Sequence, residues 1–342
     1  MVKNQLPLPP SYDPAKVGEL RMVKYQEIAK SAKEWAGKHG IKPAASDRFK
    51  VCLMPIDCQV TFCFPGAELP VAGALDDCNR TADLIYRNLR WITRISPTMD
   101  THLYFAIFHA AFWVDEKGNH PDPMTMISVD DQKSGKWKVN PAAASITKPA
   151  GNYAGLSRHA LHYSEALAKT DKSILIIWPY HAMLGGIGHA LVPQVEEAIF
   201  FHSVARSMQV APEIKGGNPL TENYSVLRPE VLDGPDGKPI AQRNVHFIET
   251  LLSYDAIVIL GQAKSHCLAF SVQDLLNEIN SKDPKLAKKV HLVEDCTSPV
   301  VIPGVIDFTK QADEAFANFK VAGMNIVRST TPMDQWPGMQ LD

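Results

Sequence analysis

Short apolar runs alternate along the chain with segments whose apolar positions recur at helical spacing. The apolar runs lie at residues 49–56, 89–95, 173–178, 256–260, 290–293 and 324–327. Segments with helical spacing lie between them, at about 74–88, 191–204, 267–280 and 311–322. Strands that alternate with helices predict an α/β fold with a mostly parallel sheet and helices on both of its faces.

The beginning of the chain has a different pattern. Residues 1–13 are rich in proline and indicate an extended arm. Residues 14–38 carry apolar positions among many charges, which predicts an amphipathic helix that starts near Asp13 with Pro14 at its first position. We therefore treat residues 1–47 as an N-terminal arm and helix.

A second departure lies in the middle of the chain, at about residues 112–172. This stretch holds several prolines and glycines, a possible hairpin at 125–139 and one helical pattern at 158–168. It indicates an insertion, and insertions of this size often cap a site or mediate assembly. The predicted organisation is one domain at 48–330 that contains this insertion, followed by a C-terminal tail at 331–342.

Composition and charge exclude several classes of protein. The 342 residues carry a formal net charge of −2, which gives no basic excess for a nucleic-acid partner. No apolar run approaches the ~20 residues of a membrane-spanning helix, and the first residues lack the apolar segment of a secretory signal. The six cysteines form no C-x-x-C pair, so free thiols and a cytoplasmic location are expected.

Polar side chains follow four of the predicted strands. Asp57 ends the first, Asp100 the second, His181 the third and Cys267 the fourth. Ligands of open α/β sheets bind beyond the carboxyl ends of the strands. Each residue alone has an ordinary structural explanation, such as a cap or a buried thiol. A carboxylate, a histidine and a thiol at one sheet edge instead favour catalysis.

Cys267 has a further reason to be reactive. It stands directly before a helical pattern, and a thiol at a helix N-terminus has a lowered pKa. Lys264 nearby is expected to add to this effect. The backbone amides of the same terminus are suited to stabilise an oxyanion. A thiol nucleophile also needs a proton acceptor, and Asp57 fits that role if the fold brings the two together.

Three motifs resemble those of nicotinamidases and isochorismatase-like hydrolases. They are IDCQVTF at 56–62, KG at 215–216 followed by ENYS at 222–225, and GQAKSHC at 261–267. The resemblance covers roughly residues 48–110 and 172–330. It implies a three-layer α/β/α Rossmann-like fold and, as in most of the family, a homo-oligomer.

The same resemblance implies roles for individual residues. Asp57, Lys215 and Cys267 would form a catalytic triad that hydrolyses a C–N bond through a thioester. The backbone amides of Ala263 and Cys267 would form the oxyanion hole, with a cis peptide between Gln262 and Ala263. Family members that cleave isochorismate lack the thiol, so its presence favours amide hydrolysis.

A metal site is implied as well. Asp100, His102 and His181 match the Asp-x-His and Trp-Pro-x-His motifs with which nicotinamidases bind a divalent metal, although Thr101 replaces a usual Trp. These ligand types suit zinc, iron or manganese. The alternative is that Asp100 caps a turn while the two histidines form local hydrogen bonds. Histidines 109, 120 and 189 are expected to be structural or solvated.

Three further positions bear on the substrate or on the fold. Phe62 matches a family position that stacks on the substrate ring, and its alternative role is that of a core aromatic residue. His266 stands where a tyrosine often precedes the nucleophile, so it is a candidate for tuning the thiol or for selecting a different substrate. Pro55 lies in a predicted central strand, where proline is rare because it lacks a backbone donor.

Three functions remain open at this stage. The first is hydrolysis of nicotinamide to nicotinate and ammonia with the help of a metal. The second is the same triad without a metal, acting on a carbamoyl or ureido amide such as an N-carbamoyl amino acid, biuret or ureidoacrylate. The third is a catalytically silent binding protein of the same fold.

Overall fold

The computed structural model describes residues 5–169 and 174–341. Its strands are β1 Val51–Ile56, β2 Arg94–Ile95, β3 Thr98–Asp100, β4 Trp113–Val114, β5 Met126–Ile127, β6 Lys138–Val139, β7 Leu175–Ile176, β8 Glu213–Lys215, β9 Ala256–Gly261, β10 Val290–Val293, β11 Val301–Ile302, β12 Ile306–Asp307 and β13 Asn325–Val327. Its α-helices are α1 Tyr25–His39, α2 Val60–Cys63, α3 Ala74–Arg87, α4 Val129–Lys133, α5 Tyr153–Ala168, α6 Pro193–Ala205, α7 Val245–Leu252, α8 Cys267–Lys282 and α9 Thr309–Val321.

A five-stranded parallel sheet forms the centre of the molecule, with the strand order β13-β10-β9-β1-β2. Strands β1, β9 and β10 are buried along their whole length, as expected for near-continuous apolar runs covered on both faces. Within β1, Cys52 and Met54 belong to the core that contains α8, whereas Val51 and Leu53 belong to the core that contains α3 and α6. The predicted α/β class with a mostly parallel sheet is confirmed.

Pro55 lies inside β1, and the local pairing explains why it is tolerated. The carbonyl of Leu53 and the amide of Asp57 both bond towards the side of β2 and β3, so Pro55, between them, faces the same side. The ladder is interrupted there, because β2 ends at Ile95 and β3 begins only at Thr98. The missing proline N–H therefore leaves no ladder hydrogen bond unmade.

Two of the predicted strands were wrong in extent or in partner. In the run 89–95 only Arg94–Ile95 is strand; the residues before it form a turn in which Asn88 accepts from Trp91 and Ile92. In the run 173–178 only Leu175–Ile176 is strand, and it pairs antiparallel with β5 outside the central sheet. Residue 173 lies outside the described residues. Short apolar runs do not encode their pairing partner.

The predicted hairpin at 125–139 is also wrong. Ser128 and Asp131 form a capping box that begins α4 in this stretch. The flanking strands pair elsewhere, β5 with β7 and β6 with β4. The helix predicted at 158–168 is confirmed and starts earlier, at Tyr153, where Asn152 caps it. Residues of the insertion, including Trp113 and Tyr163, are buried in the core that also holds Cys267.

The N-terminal segment is not one continuous helix, so that prediction was wrong. Asp13 caps a short 3₁₀ turn at Pro14–Lys16, and α1 begins only at Tyr25. Gly18, a poor helix former, lies between the two. The segment is tied to α6 by an ion pair of 2.6 Å between Arg21 and Glu197. No helix among the described residues is long and apolar enough to span a bilayer.

Candidate active site

Three residues that lie far apart in the sequence meet at the carboxyl edge of the sheet. Asp57 directly follows β1, Lys215 ends β8, and Cys267 opens α8. The Lys215 Nζ lies 3.0 Å from Asp57 Oδ2 and 3.5 Å from Cys267 Sγ. The fold thus brings the residues of the predicted triad into direct contact around one ammonium group.

The Asp57 carboxyl is held firmly by its surroundings. Its residue is completely buried and adopts a φ of 44°, which is uncommon outside glycine and often found at functional sites. The Thr98 hydroxyl makes two hydrogen bonds with Asp57. Its Oγ1 accepts from the Asp57 backbone amide at 3.1 Å and donates to the carboxylate Oδ1 at 2.5 Å. Oδ2 is left to face Lys215. Sequence reasoning did not identify Thr98, whose role becomes visible only through this contact.

Lys215 is a buried cation between two carboxylates. Besides Asp57, its Nζ contacts Asp100 Oδ1 at 2.9 Å, and it donates to the Asn223 carbonyl at 3.0 Å. Burial alone would lower the pKa of Lys215, but the charges of Asp100 and Asp57 raise that pKa well above its usual value. Lys215 therefore stays protonated and acts here as a fixed positive charge.

The resting Cys267 thiol is neutral, contrary to the expectation of a lowered pKa. Burial raises the pKa of Cys267 well above its usual value; the charge of Lys215 opposes this, whereas the Asp57 carboxylate adds to it. Lys264 does not assist, because its Nζ pairs with Asp313 at 2.6 Å. Burial also raises the pKa of Asp57 against the charge of Lys215, which makes this carboxyl a stronger proton acceptor.

Alkylation of Cys267 should therefore depend strongly on pH. We expect its rate with iodoacetamide to rise about tenfold per pH unit between pH 7 and 9, because only the thiolate reacts and its fraction grows tenfold per unit below the pKa. The measurement is peptide mass spectrometry of Cys267 after timed labelling. A rate that stays constant over this range would indicate a preformed thiolate and contradict the buried, neutral thiol.

Two backbone amides at the start of α8 are available to a ligand. The Gln262–Ala263 peptide is cis, as the resemblance implied. The Ala263 carbonyl accepts from the amides of His266 and Leu268, while neither the Ala263 nor the Cys267 amide donates to another described residue. The Gln262 side chain bonds to Asp77 at 2.8 Å, which anchors this turn to α3.

A second group of polar residues lies beside the triad and could hold a metal ion. Asp100, His102 and His181 are buried, and one ligand atom of each lies within 4.8 Å of the others. Asp100 Oδ2 is 2.8 Å from His102 Nε2 and 3.4 Å from His181 Nε2. Burial works to raise the pKa of Asp100, yet the charges of His102 and Lys215 outweigh it and hold that pKa well below its usual range.

The opposite nitrogen of each imidazole is bonded to the backbone. His102 Nδ1 lies 3.2 Å from the Gly216 carbonyl, and His181 Nδ1 lies 2.8 Å from that of Pro179. A carbonyl only accepts, so both Nδ1 atoms carry a proton and both Nε2 atoms are turned towards the Asp100 carboxylate. The two Nε2 atoms and the Asp100 carboxylate are therefore the groups that a divalent cation would use.

Gly216 leaves room for the side chains of His102 and Asp100, because it has no Cβ. Its φ is 84°, and a Cβ there would lie 2.6 Å from His102 Cε1 and 2.7 Å from Asp100 Oδ1. Substitution Gly216→Ala should therefore displace both side chains and lower zinc affinity by about 10- to 100-fold, as measured by competition with a fluorescent chelator. Gly217→Ala is the matched control, since no atom lies within 4 Å of a Cβ there. Equal affinity in the two variants would contradict the proposed packing.

A narrow cavity, partly open to solvent, connects the triad with the group around Asp100. Its wall includes Phe62, whose ring meets that of His181 edge-on at 5.5 Å, so this aromatic residue borders the cavity. The residues that line it are Phe62, Leu69, Val71, Asp100, Trp178, His181, Lys215, Glu222, Asn223, Tyr224, Ala263, His266, Cys267 and Val300.

Sequence reasoning missed several of the residues that build this site. Burial raises the pKa of Glu222 well above its usual value, so the cavity wall contains a neutral carboxyl group. The Gln59 side-chain amide makes two hydrogen bonds of 2.8 Å to the Asp100 backbone: it donates to the Asp100 carbonyl and accepts from the Asp100 amide. Both residues lie within or beside the quoted motifs, but nothing in their spacing indicates their partners.

The remaining histidines near the site have structural contacts. His109 is buried, its Nδ1 lies 3.2 Å from the Leu103 carbonyl, and burial lowers its pKa to about 3. His189 Nε2 lies 2.8 Å from Thr101 Oγ1. His120 Nδ1 lies 2.7 Å from the Trp113 carbonyl.

Comparisons with known proteins place the fold. No protein-family model matches the chain, and no curated protein matches it by sequence. A nicotinamidase/pyrazinamidase of Acinetobacter baumannii superposes with a TM-score of 0.51 at 17% identity, over 83% of this chain and 99% of the other. A yeast nicotinamidase bound to the inhibitor nicotinaldehyde superposes with a TM-score of 0.50 at 18% identity, over 81% and 99%. The chain therefore has the fold of these nicotinamidases.

Proposed function

We propose that the protein is a cysteine amidohydrolase of the nicotinamidase and isochorismatase-like group, which hydrolyses a small carboxamide through a thioester. The observation that carries this proposal is the Lys215 ammonium held between the Asp57 carboxyl and the Cys267 thiol. The shared fold with two nicotinamidases supports it. A neutral thiol beside a buried carboxylate is the ground state that such a nucleophile and base require.

The chemistry divides into two steps. Asp57 accepts the Sγ proton as Cys267 attacks the amide carbon, and the Ala263 and Cys267 amides donate to the developing oxyanion. The tetrahedral adduct collapses, the C–N bond breaks, and Asp57 returns the proton to the leaving ammonia. A water molecule then attacks the thioester while Asp57 takes its proton, which releases the carboxylic acid and restores the thiol. Lys215 keeps Asp57 oriented throughout.

The group around Asp100 fits a divalent metal, such as zinc, iron or manganese. Asp100, His102 and His181 would hold it, because the backbone bonds on both Nδ1 atoms turn each Nε2 towards the carboxylate. When bound, the metal would act as a Lewis acid for a ring nitrogen of the substrate. The presence of these three ligand types together favours nicotinamide over the carbamoyl and ureido amides, which need no such group.

The test is ammonia release from nicotinamide by the purified protein, with and without prior removal of metal by a chelator. We expect hydrolysis that falls by roughly 100-fold or more after metal removal and returns with added zinc, because the loss of a Lewis acid costs several kcal/mol. Biuret, ureidoacrylate and an N-carbamoyl amino acid serve as comparison substrates. If the stripped protein prefers one of them and ignores nicotinamide, the metal-dependent assignment is overturned.

A further inference from the structure

His266 stands immediately before the nucleophile and forms part of the cavity wall. Its ring lies among aromatic side chains, with ring centroids 5.7 Å from both Trp178 and Tyr224 and 4.6 Å from Phe308. The catalytic steps above make no use of it. A polar ring among these aromatic neighbours is a candidate for recognising the substrate.

A short chain of hydrogen bonds favours one tautomer of the His266 ring, because the Ser265 hydroxyl proton has no acceptor among the described residues other than His266 Nδ1. The Val300 amide donates to Ser265 Oγ at 3.0 Å, so this oxygen already accepts one bond. Ser265 Oγ lies 2.8 Å from His266 Nδ1, and the serine hydroxyl has one proton to donate. When Oγ donates to Nδ1, the proton of the neutral imidazole resides on Nε2. The wall then presents an N–H donor.

That donor has no partner within the described part of the chain, where the single hydrogen bond of the His266 ring is the one to Ser265. Burial lowers the pKa of His266 to about 4, so the ring is neutral at physiological pH. His266 is partly exposed, so water can pair with its Nε2–H when the cavity holds no ligand. A ligand that displaces this water must supply an acceptor in its place, or the hydrogen bond is lost.

We propose that His266 is a specificity-determining residue whose Nε2–H donates to an acceptor on the acyl part of the substrate. This inference rests on the proposed amidohydrolase function and deepens it. The preferred substrate is then a small, flat carboxamide with two acceptors besides its amide, one for the Asp100 group and a second for His266. An analogue without the second acceptor leaves the Nε2–H unpaired in the complex and is discriminated against.

Three diazine carboxamides test this directly. Pyrazinamide, pyrimidine-5-carboxamide and pyridazine-4-carboxamide each replace one ring CH of nicotinamide with nitrogen, at three different positions. The readout is kcat/KM for each diazine divided by kcat/KM for nicotinamide. In His266→Phe this preference should fall about tenfold for at least one diazine, the value of one hydrogen bond of ~1.4 kcal/mol. His266→Gln, which keeps an amide N–H donor, should restore it.

Intrinsic differences in amide reactivity cancel, because each variant is compared on the same pair of substrates. If His266→Phe has the same kcat/KM ratios as the wild type for all three diazines, the inference is overturned, while the hydrolase function still stands. If the wild type hydrolyses none of the four amides, the proposed function fails for ring amides, and the tautomer still decides the His266 assignment. In ¹⁵N-histidine NMR spectra the proton should lie on Nε2, and a proton on Nδ1 would refute it.

Discussion

Replacing Cys267 with alanine is expected to lower kcat for nicotinamide hydrolysis by at least about 10⁴-fold, because the sulfur forms the covalent bond of the thioester route. The backbone amides at Ala263 and position 267 remain in place, as do the Asp100 group and the aromatic wall. Nicotinate should therefore still bind with an affinity within a few fold of the wild type. The measurements are ammonia release and calorimetric titration with nicotinate.

A second buried thiol gives the matched control. Cys296 is completely buried, follows β10 and is not among the residues that line the cavity. Cys296→Ala should retain turnover close to that of the wild type, whatever it costs in stability. If Cys267→Ala hydrolysed nicotinamide at a similar rate, a direct attack of water would replace the thioester route.

Replacing Lys215 with methionine is expected to remove both activity and several kcal/mol of stability. The Lys215 side chain is 2% exposed and lies within 3.0 Å of the buried carboxylates of Asp57 and Asp100. Without the ammonium these two buried acids are left uncompensated, and breaking a buried ion pair in this way costs about 3–5 kcal/mol. Urea unfolding of the metal-free protein measures the loss.

Two further variants identify the cause of that loss. Lys264→Met also removes a lysine from an ion pair, but its partner Asp313 is 63% exposed, so the cost should stay below about 1 kcal/mol. Combining Lys215→Met with Asp57→Asn should recover part of the stability, because one of the uncompensated charges is gone. Equal losses for the two lysine variants, or no recovery in the double variant, would rule out the charge-compensation account.

The central sheet was predictable because its strands are buried on both faces. Residues 256–260 form a continuous apolar run, and residues 290–293 are apolar except for His291, a pattern typical of buried parallel strands. The position of Asp57 and Cys267 at one edge follows from parallel strands that share a carboxyl end. Lys215 was identified by the resemblance of its motif to a known family, and not by the pattern of strands and helices. The strand that it ends, β8, was not predicted.

What the sequence could not predict depends on contacts between distant segments. Leu175–Ile176 is apolar enough for the central sheet, yet its partner is β5 of the insertion, and nothing local decides between them. The Cys267 pKa was expected to fall because the helix terminus is a local feature. Burial and the Asp57 carboxylate, which are tertiary features, raise it instead. The contact of Ser265 with the Val300 amide is likewise tertiary and could not be read from the sequence.

The most direct test of the central claim is whether Cys267 attacks a carbonyl held in this cavity. An aldehyde analogue of nicotinamide, labelled with ¹³C at the carbonyl, reports this by NMR without any dependence on the rate of turnover. We predict that the labelled carbon moves from the aldehyde to the saturated-carbon range with the wild-type protein, as a thiohemiacetal of Cys267 forms, and that no such signal appears with Cys267→Ala. A labelled carbon that remains an aldehyde or its hydrate in the wild type, or an identical adduct in the variant, would contradict the assignment of Cys267 as the nucleophile.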